Sequence, residues 1–168
     1  MSHYRRNYLA GGTFFFTVKL ANSKSCLLVE QIDLLREAYA FVQQRYAFET
    51  VAVCVLPNHI HAVWALPDGD DDYSLRWRLL KTKFSDAFES LENISASKKR
   101  RREKGIWQRR FYEHTVCDDA DLRRCVDYVY FNPVKHGLVN SVKEWPFSSF
   151  HRDVRRGLFA LDWGGSKE

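Results

Sequence analysis

Two hydrophobic periods divide this chain. Thr13 to Leu20 is an aromatic and β-branched run that predicts a first strand. From Leu27 to about Tyr46, Leu28, Ile32, Leu35, Tyr39 and Val42 recur at helical spacing, so a long amphipathic helix follows. Phe48 to Leu56 is apolar on both faces, as a central strand should be. Pro57-Asn58 interrupts it briefly, and His59 to Leu66 predicts a third strand able to pair with the second as a hairpin. A second helix is expected over about Leu75 to Leu91, with Ser74 near its cap and Trp77, Leu80, Phe84 and Phe88 as its apolar residues. Ile106 to Val116 predicts a fourth strand. A last long helix should start at Asp118 or Asp119 and run to about Phe131, stopped by Asn132-Pro133. This order predicts an α+β domain, an antiparallel sheet of four to five strands packed with helices, over residues 1–140. Residues 141–168, with a short helix ending at Gly157, are expected to form a tail on or near the functional surface.

Composition narrows the picture. At 168 residues one domain has room for a core, and 15% aromatic residues supply it. A net charge of +5 and a pI near 9.1 favour a polyanionic partner without specifying one. The four cysteines, at 26, 54, 117 and 125, have no Cys-x-x-Cys or zinc-like spacing with histidine, which fits a reduced, cytoplasmic setting. There is no signal-peptide pattern and no stretch of membrane-spanning length. The acidic turn Pro67 to Asp72 lacks the distal Glu of a calcium loop. The second helix carries Arg76, Arg78, Lys81 and Lys83, a face suited to phosphate contact, and Lys98 to Lys104 is a basic run expected to be a loop.

The candidate chemistry lies in two stretches. Along a strand, side chains alternate, so His59 and His61 point one way and Ile60 the other. On the last helix, at roughly 100° per residue, Leu122, Val126, Val129 and Pro133 make the apolar stripe. Tyr128 and Asn132, four apart, stack on a different face, whereas Tyr130 lies on the far flank. Two imidazoles and an amide oxygen make an open site for a divalent ion. A phenol beside it is a nucleophile in search of a phosphorus centre. Tyr112, a strand phenol without an aligned Asn, ranks below Tyr128, and His114, His136 and His151 read as surface histidines.

These residues resemble a known family. His59-Ile60-His61 resembles the HUH motif, and Tyr128 with Asn132 resembles the tyrosine helix of single-tyrosine transposases. More narrowly, the chain resembles the REP-associated tyrosine transposases. The resemblance is carried in order by Gly11 to Thr17, Leu56-Pro57-Asn58-His59-Ile60-His61, Trp107 to His114, Tyr128 to Gly137 and Trp145-Pro146-Phe147-Ser148-Ser149. It implies a ferredoxin-like HUH fold with the His pair on a central strand. It also implies Mg²⁺ or Mn²⁺ as cofactor, held by His59, His61 and Asn132, and cleavage of single-stranded DNA by Tyr128 beside a palindromic REP hairpin through a 5′-phosphotyrosine. Arg5, Arg6, Arg109, Arg110 and Lys135, with the basic run, are the candidate DNA contacts by charge and position. A nucleoid-associated monomer is expected, because the tail would cap a single chain. Two other readings stand beside this one: a hairpin-binding protein without strand transfer, and a metal-dependent nuclease that uses water.

Overall fold

The computed structural model describes residues 6–89, 95–101 and 103–165; Arg5 and Arg102 lie outside the described residues. The strands are β1 (Thr13–Lys19), β2 (Glu49–Val55), β3 (His59–Ala65) and β4 (Tyr112–Thr115). The helices are α1 (Leu27–Glu30), α2 (Ile32–Arg45), α3 (Tyr73–Ser85), α4 (Ala96–Arg100), α5 (Asp119–Lys135) and α6 (Phe150–Arg155). All strand pairs are antiparallel, in the order β2-β3-β1-β4. The chain is thus an α+β fold, and its sheet has the ferredoxin-like order. No helix among the described residues is long and apolar enough to cross a membrane.

Strand alternation sorts the aromatic residues into two layers. Phe14, Phe16 and Val18 of β1, with Ile60, Ala62 and Trp64 of β3, face α2 and α3. There Trp64 stacks on Trp77 at 4.2 Å between ring centroids. Phe15 of β1, Ala52 and Cys54 of β2 and Val63 of β3 face the other way, under Cys125, Val129, Tyr130 and Val134 of α5. A β-bulge between Thr50 and Ala52 interrupts β2. Gly11 takes φ +67°, and a Cβ on Gly12 would meet the Leu9 carbonyl and the Phe14 ring at 2.9 Å, so the turn into β1 needs both glycines.

Several boundaries differ from those the pattern predicts. The first helix breaks at Gln31, because Leu28 is buried and its N–H is held by the Pro57 carbonyl, while Leu35, Ala38 and Val42 set the packed face of α2. The cap of α3 is Asp72, whose side chain accepts from the Leu75 N–H, and α3 ends at Ser85. The basic run, expected to be a loop, begins inside α4, which ends at Arg100. The fourth strand is shorter than expected. After one bridge between Leu20 and Trp107 the chain leaves the sheet, and Phe111 packs against Phe16 and Trp77 before pairing resumes at Tyr112.

The last long helix does not stop at Asn132. It runs through Pro133 to Lys135 and ends with Gly137 at φ +70°. Proline there removes one backbone donor. The end is closed by bonds from the Gly137 N–H to Val134 and from the Leu138 N–H to Pro133, a Schellman motif.

The C-terminal stretch covers the outer edge of β2. The Val55 N–H donates to the Phe147 carbonyl, and the Ser149 N–H donates to that of Val53. The Trp145 indole reaches the Val55 carbonyl at 3.0 Å, and Arg152 takes the carbonyls of Thr50 and Val51 at the bulge. An exposed strand edge invites pairing with another chain, and here one of the two edges is occupied.

Candidate active site

The register sets His61 between Thr17 of β1 and Cys54 of β2, with His59 opposite Lys19. Both imidazoles therefore emerge on the α5 face of the sheet, with ring centroids 4.8 Å apart. Their hydrogen bonds orient them. The Asn58 amide nitrogen donates to the Ser23 carbonyl, which can only accept, so the Asn58 oxygen is the end that faces His59 Nδ1 at 2.6 Å. His59 Nδ1 is thus the protonated nitrogen, and Nε2 keeps its lone pair. His61 Nδ1 meets the Thr17 hydroxyl at 2.9 Å, and its buried Nε2 forms no well-aligned hydrogen bond among the described residues. Holding Nδ1 in this way is how imidazole ligands are oriented toward a metal.

The same apolar surroundings that bury the pair keep it neutral. His59 is pushed down to about 4, by burial first and then by His136 and Lys19, against a smaller opposing effect of Asn132. His61 is pushed down to about 3, by burial and then by His59 and His136. An unfolded chain binds protons at both residues near their ordinary value of about 6.5, while the folded chain does not. The metal-free protein is therefore expected to lose stability as pH falls from about 6.5 toward 4, by several kcal/mol at most. Urea midpoints measured with chelator at pH 7 and pH 5 check this. The difference should shrink in His59→Gln and His61→Gln.

Across from the pair, α5 contributes Asn132 and Tyr128. Asn132 is fully buried, and among the described residues neither its amide oxygen nor its amide nitrogen reaches hydrogen-bond geometry, although its amide lies close enough to both imidazoles to favour their protonated forms slightly. An amide buried without good hydrogen bonds costs about 1–3 kcal/mol, so the Asn132 oxygen has capacity for a ligand. Tyr128, one turn earlier, is 41% exposed. Its ring stands 5.2 Å from His61 and 5.6 Å from Phe15, both edge-on. Lys135 Nζ lies 4.8 Å from the Tyr128 centroid, which puts positive charge beside the ring. Tyr128 also borders a cavity of about 420 Å³ with Tyr112, His114, Asp121, Arg124 and Cys125 among others. Tyr130 is buried elsewhere and bonded to Ser149 and Asp153.

The other candidates separate. Arg6 stacks over Phe111 at 3.8 Å, on the α3 side of the sheet and away from Tyr128. Arg109 pairs with Glu103 at 3.2 Å and also reaches Ser97. Arg110 is exposed without a partner among the described residues. Arg76 is buried, which removes it from the expected phosphate-contacting face. Of the histidines read as surface residues, His136 stands 5.3 Å from His59, His114 bonds Asp121 at 2.8 Å, and His151 bonds the Trp145 carbonyl. Residue spacing holds the signal for His136, which follows Asn132 by four positions and caps the end of α5. Asn58 and Thr17 gave no such signal, because their roles depend on which residues the sheet brings opposite.

No protein-family model matches the chain. A REP-associated tyrosine transposase of Escherichia coli K12 is 50% identical over 165 residues, covering 98% of this chain and 92% of that protein. A Haemophilus influenzae relative assigned to the same group is 46% identical over 169 residues, covering 100% and 96%. The solved structure of a REP-associated tyrosine transposase bound to a REP hairpin is 49% identical, with a TM-score of 0.87 over 99% of this chain and 93% of that one. With likeness of this extent in both sequence and fold, the chain belongs to the REP-associated tyrosine transposases.

Proposed function

We propose that this protein cuts and rejoins single-stranded DNA beside a palindromic hairpin, with Tyr128 as nucleophile and with His59, His61 and Asn132 holding Mg²⁺ or Mn²⁺. One observation carries the reading. Among the described residues, His61 Nε2 and the Asn132 amide are buried without a well-formed hydrogen bond, beside an exposed phenol whose ring lies 5.2 Å from that of His61. That donor set, two imidazole nitrogens and an amide oxygen, suits a divalent ion that keeps open positions for phosphate oxygens. When bound, the ion withdraws charge from the scissile phosphodiester and orients it.

The chain's own groups do the rest. Neutral His59 and His61 need no deprotonation near pH 7 to act as ligands. Phe15 and His61 hold the Tyr128 ring edge-on, with its exposed side toward the substrate. Lys135 lies where it attracts the phosphate. The Tyr128 hydroxyl gives up its proton to solvent and its oxygen bonds to phosphorus while the bond to the 3′-oxygen breaks, and that oxygen takes a proton from solvent and leaves as a 3′-hydroxyl. A second 3′-hydroxyl then displaces the tyrosine and restores it. Each step trades one phosphoester for another, so no nucleotide cofactor is consumed.

The hairpin belongs to the solved relative, and 49% identity with the same fold supports a similar partner here. Arg110, Lys135 and the basic run that begins at Lys98 are the DNA contacts in this reading, whereas Arg6, Arg109 and Lys104 contribute less because each is already engaged. The stretch from Trp145 to Arg152 covers one edge of the sheet, which favours a monomer.

The test uses a single strand carrying a hairpin and flanks, labelled at its 3′ end, with Mn²⁺ and a denaturing gel. A labelled protein-linked band is expected, lost with chelator and in His61→Ala or Asn132→Ala, from protein that light scattering reports as a monomer. Cleavage without an adduct would show a nuclease that uses water. Binding without cleavage under either metal would show a recognition protein.

A further inference from the structure

Beyond Tyr128, the cavity ends in a second cluster that the reading above does not use. Asp121 and Cys125 are four apart on α5 and both buried, and His114 projects from β4 next to Phe15. One nitrogen of His114, one oxygen of Asp121 and Cys125 Sγ all lie within 4.8 Å of one another. Asp121 Oδ2 is engaged by His114 Nε2 at 2.8 Å and by the Cys117 N–H at 2.9 Å. Among the described residues its Oδ1 has only long contacts, 3.5 Å to Arg124 and 4.0 Å to Cys125 Sγ, and so keeps capacity for a ligand. The spacing of the four cysteines alone did not reveal this, because one ligand comes from a strand and two from a helix.

We propose that His114, Asp121 and Cys125 form a second metal site, selective for Zn²⁺ or a similar thiophilic ion. A thiolate, an imidazole and a carboxylate are three of the four ligands of a tetrahedral zinc centre. The hard ion expected at His59, His61 and Asn132 has no affinity for sulfur, so the two sites differ in kind. Zinc–ligand bonds of about 2.0–2.3 Å put ligand atoms roughly 3.5 Å apart, so the cluster must close by about 1 Å, within reach of side-chain torsions. Binding releases one proton to solvent, that of the Cys125 thiol, while His114 ligates as a neutral imidazole with its proton on the nitrogen that does not ligate, and no electron moves. The fourth position opens into the cavity that Tyr128 borders, so an ion there stands on the nucleophile's side of α5.

Co²⁺ is the probe, because a cobalt–thiolate bond absorbs in the near ultraviolet and the His59, His61 and Asn132 site contains no sulfur. Added to the whole, metal-free protein, Co²⁺ is expected to give a thiolate charge-transfer band that saturates at one equivalent and is bleached by Zn²⁺. The band should vanish in Cys125→Ser and persist in Cys117→Ser, the exposed neighbouring thiol. It should need about 10-fold or more Co²⁺ in His114→Ala. No band in the wild type, or a band that survives Cys125→Ser, overturns the proposal. If circular dichroism shows Cys125→Ser unfolded, His114→Ala decides, and unchanged Co²⁺ affinity there also overturns it. None of these readouts needs DNA cleavage, so failure of the nucleophile assignment leaves them intact.

Discussion

Tyr128→Phe is expected to abolish the protein–DNA adduct and lower cleavage on the order of 10³-fold or more, while hairpin affinity and melting temperature stay near those of the wild type. The change removes a single oxygen. No described residue hydrogen-bonds the Tyr128 hydroxyl, and the ring's contacts with Phe15, His61 and Lys135 are all made by carbon atoms that phenylalanine keeps. The stabilising interactions of the ring therefore survive, and only the attacking atom is lost. Two other phenols serve as controls. Tyr112, 56% exposed on the same cavity, is the competing nucleophile, and Tyr112→Phe should leave the adduct in place. Tyr130→Phe breaks bonds to Ser149 and Asp153 and should lower stability without touching the chemistry. An adduct that persists in Tyr128→Phe and disappears in Tyr112→Phe would move the nucleophile from α5 to β4.

Much of this site follows from two periodicities. A strand period of two puts His59 and His61 on one face, and a helix period of 3.6 puts Tyr128 above Asn132. What the periods do not contain is the partner across the gap. Thr17 meets His61 because β1 lies beside β3, and Asn58 fixes the His59 proton because Ser23 takes its amide nitrogen. Both depend on chain segments far apart in sequence. Asn132 shows a different limit. An Asn before Pro reads as a helix stop, because the pair disfavours helical geometry locally. In the structure α5 continues for another turn, with Pro133 and Val134 buried and a glycine closing the end. Tertiary burial outweighs a local preference of this size, and the extra turn is what carries Lys135 back toward Tyr128 and His136 toward His59.

Arg76 was readable from the sequence, and reading charge without angle hid it. Tyr73, Arg76, Trp77, Leu80 and Phe84 follow the helical repeat, so Arg76 belongs to the apolar stripe of α3 and not to its basic face. It is 1% exposed. Its guanidinium binds Asp70 through two nitrogens, at 3.1 and 2.7 Å, and donates to the carbonyls of Tyr46, Ala47 and Asp72. One side chain thus ties the end of α2, the approach to β2 and the acidic turn to the start of α3. Arg76→Met keeps much of the volume but leaves those carbonyls unpaired and Asp70 without its counter-ion. A loss of about 3–5 kcal/mol is expected, toward the lower end because Asp70 is partly hydrated. That corresponds to a fall in melting temperature on the order of 10 °C for a domain of this size. Arg76→Lys should lose less, since it keeps the charge but not the planar fork. The Arg76 hydrogen bonds, first among the causes, hold the Asp70 carboxyl below its ordinary value. The pair's contribution is therefore present above that value and drains as pH falls through the lowered one, a dependence that Arg76→Met should remove. Because Arg76 is buried, the salt dependence of hairpin binding should be unchanged in the folded variant. A reduced slope would mean that Arg76 contacts phosphate after all.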